Sequence, residues 1–139
     1  MDWTIRPNVG VGPLRFGMTR QEVRRTIGVQ PTGSATVPRS SSPTDDFLEQ
    51  GLHIYYDDSD HCVAIEMAVP ATPILEGRPL LGEPFCVVRD WLAAIDPAIE
   101  TDDDGLTSKA LGSGLYAPAV DKNQESRVEA VIAFAPGHG

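Results

Sequence analysis

The sequence predicts an α+β fold built from two divergent repeats, each a helix followed by a three-stranded antiparallel meander, with the two sheets joined or packed into one body. Three observations carry this. Two amphipathic stretches of helical spacing each follow a glycine turn; several short stretches alternate apolar and polar residues; and turn, helix and alternation recur in the same order in both halves of the 139 residues. A unit of half that length has too small a core to stand alone. Residues 1–70 and 71–139 are therefore read as two repeats sharing one compact body.

The first unit opens on "GPLRFG" (Gly12 to Gly17), a tight glycine and proline turn, and continues into a fully punctuated helix. Thr19 and Glu22 have capping-box spacing, so that hydroxyl and carboxylate satisfy backbone N–H groups of the first turn reciprocally. Met18 and Val23 are placed for a hydrophobic staple, Val23 and Ile27 continue the buried stripe, and Gly28 supplies a left-handed stop. Arg20, Arg24 and Arg25 are assigned to the exposed side, where arginine stems cover apolar surface. The stretch "VQPTGSATVPRSSSPTDD" (Val29 to Asp46) has no periodicity and reads as a loop. A short strand is predicted at Phe47 to Glu49, then a hairpin in which Leu52, Ile54 and Tyr56 face one way and His53 and Tyr55 the other, followed by Val63, Ile65 and Met67.

The second unit repeats the pattern. "GRPLLG" (Gly77 to Gly82) echoes the first turn and precedes a helix predicted from Pro84, at its first position, to Ile95, with Phe85, Val88, Leu92 and Ile95 as the apolar stripe and Pro97 as the stop. "GLYAPAVD" (Gly114 to Asp121) echoes "GLHIYYDD" (Gly51 to Asp58), and "VEAVIAFA" (Val128 to Ala135) echoes "VAIEMA" (Val63 to Ala68). Between them, "TDDDGLT" (Thr101 to Thr107) reads as a polar turn with Gly105 at positive φ.

The segment "FGMTRQEVRRTIG" resembles the signature of the BamE-like outer-membrane assembly lipoproteins, a glycine-methionine turn followed by a helix that ends in glycine. The resemblance covers about thirteen residues of the first unit. In the second, "LGEPFCVVRDWLAAID" keeps Gly82 and the helix. A tandem of such units also resembles the fold of the beta-lactamase inhibitor proteins, in which two copies form a concave sheet that grips an enzyme. No signal peptide or lipid-acceptor cysteine of the lipoprotein kind is read in "MDWTIRPNVG", so a membrane role is not expected. What the resemblance implies is therefore a fold and a habit of binding proteins.

Charge narrows the partner. Residues 1–42 carry six arginines against Asp2 and Glu22, while residues 43–139 hold five basic and eighteen acidic groups, and the whole chain stands at −9. An acidic body is ill suited to phosphate contacts, so no nucleic acid is expected, and the acidic part would steer a basic protein instead. No run approaches the length of a membrane span, and "MDWTIRPNVG" has neither a basic nor an apolar leader region; the expectation is a cytoplasmic protein without a membrane partner. Cys62 and Cys86 are expected to be small buried hydrophobes.

No catalytic constellation stands out: there is no G-x-S-x-G and no P-loop, and the expectation is a chain that is not an enzyme and needs no cofactor. His53, Asp57, Asp58, Asp60 and His61 crowd one hairpin turn, but the turn lacks the glycine and the closing glutamate of a calcium loop, and it is assigned no metal. The reading is a protein-binding module of inhibitor or immunity type. Its expected contacts are His53, Tyr55 and Tyr116 as amphipathic anchors, with Asp57, Asp58 and Asp60 as a charged rim whose neutralisation would leave fold stability nearly unchanged. The alternatives are a small-molecule or metal-dependent activity in the cleft between sheet and helices, and a self-associating module whose edge is the strand before Pro118. The sequence does not fix the oligomeric state.

Overall fold

A computed structural model of the chain describes residues 3–33, 43–118 and 125–138. Among these the elements are β1 (Trp3–Arg6), β2 (Gly10–Val11), β3 (Leu14–Arg15), α1 (Arg20–Ile27), β4 (Asp45–Phe47), β5 (Leu52–Tyr56), β6 (Cys62–Met67), β7 (Pro73–Leu75), β8 (Arg78–Pro79), α2 (Phe85–Ile95), β9 (Glu100–Asp102), β10 (Gly105–Ser108), β11 (Ser113–Tyr116) and β12 (Ala130–Phe134). The fold is α+β, with two helices and two mostly antiparallel sheets. One sheet has the order β4-β5-β6-β12-β11-β10-β9, and the other the order β3-β2-β1-β7-β8. The predicted loop over 34–42 and the end of Gly114 to Asp121 lie outside the described residues.

Alternation decides which side of the large sheet is buried. Phe47, Leu52, Ile54, Ile65, Met67, Leu106, Leu115 and Val131 point to one face and join Val23 of α1, Phe85, Val88 and Leu92 of α2, and Trp3, Ile5, Val11 and Leu14 of the small sheet in one core. The central pair is β6 with β12, antiparallel, with Ile65 opposite Ala133 and Met67 opposite Val131. That pair stitches the two halves of the chain together.

Helix α1 forms as its sequence specifies. Thr19 caps it, Thr19 and Glu22 close the capping box, and Gly28 takes the left-handed conformation at φ 86. The Glu22 carboxyl is held below its usual range by hydrogen bonds from the Thr19 backbone N–H and then its hydroxyl. Thr19→Ala should cost about 1 kcal/mol in urea melts, while Gln21→Ala, on the exposed side, should stay within about 0.5 kcal/mol. Helix α2 begins one residue later than predicted: Pro84 is the N-cap, with no side-chain cap, and Asp96 is the C-cap.

The structure also corrects readings of the strands and cysteines. The whole small sheet was invisible to periodicity, because its strands of two to four residues are too short to show it. Asp45 and Asp46, assigned to the loop, belong to β4. "TDDDGLT" is a hairpin between β9 and β10, and Gly105 sits inside β10, where a Cβ would overlap the Leu115 carbonyl oxygen. The strand before Pro118 is paired on both sides, with β10 and β12, so it offers no free edge for self-association. Cys62 is buried, and burial pushes its thiol up to about 12, but Cys86 is only half-buried.

Candidate functional site

Residues directly opposite each other in an antiparallel pair project to the same face. Following the register, Asp46, His53, Glu66, Ile132, Gly114, Thr107 and Glu100 form one row across all seven strands, on the face away from the core. Beside it, Tyr55 stands next to Ala64 and Phe134; on the other side, Tyr116 stands between Ala130 and Gly105. The two helices bear on the opposite face, as Arg24 of α1 bonds to Asp45 and Asp96 at the end of α2 accepts from Ser108 at 2.7 Å.

His53, Tyr55 and Tyr116 therefore lie on the same face of the sheet. Tyr116 is exposed at 48%. His53 is half-buried, and its Nδ1 lies 2.9 Å from Asp46 Oδ1, so its neighbour orients the ring. Tyr55 and Tyr116 lie three strands apart, roughly 14 Å across the sheet, and about 13 Å along it. They cannot line one pocket and would touch two separate points of a partner.

The acidic hairpin tip is built differently from its predicted role. Asp57 Oδ1 accepts from the Ser59 and His61 backbone N–H groups at 2.9 and 3.0 Å, which folds the turn. Asp60 accepts two bonds from Arg20, each 3.0 Å, and its carbonyl accepts from the Arg20 N–H. The tip is thereby fastened to the start of α1. Asp58 remains exposed. Neutralising Asp60 removes an ion pair, so the expectation that the triple change to asparagine leaves stability nearly untouched does not fit this geometry.

Arg25 is exposed as expected, but Arg20 and Arg24 are not simply surface cover. Asp45, whose side chain is 0% exposed, receives Arg20 Nη1 at 2.9 Å, Arg24 Nε and Nη2 at 2.9 and 2.7 Å, and the Tyr56 hydroxyl at 2.9 Å. The Arg20 guanidinium also stacks over the Tyr56 ring, 4.0 Å from its centre. Burial opposes ionisation of Asp45, but bonds from Arg24 and Tyr56 and the charges of both arginines outweigh it and hold the carboxyl below its usual range. Burial, reinforced by the Asp45 charge, raises the Tyr56 phenol. This cluster locks α1 to the sheet. Sequence reasoning missed Asp45; its signal was the spacing of Arg20, Val23, Arg24 and Ile27, which puts both arginines on the inward stripe.

Among the described residues no group of three or more His, Cys, Asp or Glu side chains is arranged to hold a metal ion, and no helix is long and apolar enough to cross a membrane. The chain matches no protein-family model, no curated protein and no solved structure.

Proposed function

We propose that the protein is a binding module for another protein, of inhibitor or immunity type, and that it engages its partner through the open face of the seven-stranded sheet. The observation that carries this reading is the make-up of that face. It presents Tyr55, Tyr116 and Ile132 amid Asp46, Glu66, Glu100 and Asp102, and none of the seven strands contains a lysine or arginine. Aromatic anchors inside an acidic border suit a basic partner, with the charges steering encounter and the rings retaining the complex.

The tandem architecture belongs to the same proposal. Gly17 and Gly82 both take positive φ two residues before a helix N-cap, and Gly51 and Gly112 both take positive φ directly before β5 and β11. The echo thus runs from Gly51 to Gly112, two residues earlier than the repeat of "GL" suggested. To the seven-stranded sheet the second half contributes four strands where the first contributes three, a divergence in more than loops. A BamE-like origin, and a location in the cytoplasm, are parts of this reading.

The test compares proteins captured from host lysate by the full chain, by a Tyr116→Asp/Ile132→Asp variant and by Arg89→Gln on α2, with melting temperatures confirming the fold of each. A partner held by the first and third and lost by the second is the expected result. A partner held equally by all three places binding elsewhere. For a purified partner, Tyr116→Ala should weaken binding by about 2 kcal/mol, chiefly through faster dissociation in binding kinetics.

A further inference from the structure

We infer that the open face receives a cationic side chain of the partner, an arginine above all, in the hollow between Tyr116, Glu66 and the β9–β10 turn; this rests on the protein-binding reading and names the chemistry the partner must present. The hollow encloses about 150 Å³ and is lined by Glu66, Asp102, Asp104, Gly114, Tyr116 and Ile132. Gly114 leaves part of its floor without a side chain; a Cβ there would stand 3.1 Å from Ile132 Cγ2.

Size selects among occupants. At ~30 Å³ per water molecule the hollow holds about five, room for a guanidinium and the end of its stem. It falls short of the ~300 Å³ at which pockets for small molecules begin. Charge then selects the sign. Glu66 lies on one wall and Asp102 and Asp104 on another. Asp102 Oδ1 accepts from the Asp104 N–H at 2.8 Å, a bond that does not use its second oxygen. Lys109 is held 3.9 Å from Glu100 in the turn after β10, beyond the hollow's lining, and is 74% exposed. The Tyr116 ring supplies a face that attracts cations. A planar guanidinium can stack on it while its N–H groups reach the carboxylates of one wall, with the other wall adding long-range attraction, whereas a compact ammonium stacks less well.

The test is a titration of the isotopically labelled full chain at low salt, followed by amide resonances. The probes are the blocked tripeptide Gly-Arg-Gly and its citrulline analogue, which has the same shape without the charge. The arginine peptide should shift Thr107, Gly114, Tyr116 and Ile132 saturably in the millimolar range, and the citrulline peptide should bind about tenfold more weakly. Glu66→Gln with Asp102→Asn, which keeps the Oδ1 acceptor of the turn, should weaken the arginine peptide about tenfold with an unchanged melting temperature. Equal binding of the two peptides, shifts spread over the acidic surface, or unchanged affinity in the double variant overturns the inference. Lysate capture separates the two levels. A partner retained by the double variant and lost by Tyr116→Asp/Ile132→Asp leaves the face as the docking surface and overturns the hollow. An arginine peptide seated in the hollow with no capture that depends on the face supports the hollow and overturns the protein-binding reading.

Discussion

Asp45→Ala should destabilise the protein by about 3–5 kcal/mol, the range for breaking a buried ion pair from one side. Its carboxylate is the shared acceptor of Arg20, Arg24 and the Tyr56 hydroxyl. Without it, the buried hydroxyl loses its acceptor and two guanidinium groups stand together with no charge between them. Arg24→Ala removes two of those bonds and should cost about 1.5–3 kcal/mol, as hydrogen bonds to charged groups do, whereas the exposed Arg25→Ala should remain within about 0.5 kcal/mol. Urea unfolding of the three variants orders them; equal losses at positions 24 and 25 would mean that Asp45 does not organise the helix. Acid provides an independent check. Asp45 holds its proton less tightly when folded than when unfolded, so its contribution is complete above the unfolded carboxyl value near ~3.9 and drains as pH falls through the lower folded value. Wild-type stability should fall more steeply than that of Asp45→Asn on acidification below about pH 4.

Gly51→Ala should cost roughly 2–5 kcal/mol, combining about 1–2 for a side chain in the left-handed region with about 1–3 for overpacking. Gly51 has φ 73, and a Cβ there would overlap the Ala68 carbonyl oxygen and stand 2.8 Å from the Ala71 nitrogen. That contact is backbone against backbone, where the turn before β5 meets the chain leaving β6, so no side chain can rotate away. Gly77 is the control, with φ 77 and nothing within 4 Å of the added atom. Gly77→Ala should therefore lose only the conformational part, and thermal melts that rank the two alike would show that the turn can open without loss.

Local rules carried much of the molecule. The capping box at Thr19 and Glu22, the glycine stop at Gly28, both helices, and the alternation of Leu52 to Tyr56 were all legible, because each depends on residues within a few positions of one another. The α+β class and the shared side of His53 and Tyr55 follow from the same periodicities. Tertiary structure alone decided the rest. Strands as short as Gly10–Val11 and Leu14–Arg15 exist because β1 offers an edge to the first and the first offers one to the second, not because two residues have a period. Asp45 looks like the end of a polar loop until Arg20 and Arg24, more than twenty positions earlier, are brought over it. Asp60 looks like a free turn carboxylate until the same helix begins beside it. Tyr116 joins the face of Tyr55 only because β6 pairs with β12 in one particular register, and the hollow beside it takes part of its floor from Gly114, which the pairing of β11 with β12 sets opposite Ile132. Charge pairing, register and close approach are properties of residues far apart in the chain, so composition and spacing supply the parts of this site while the packing of the two halves assembles it.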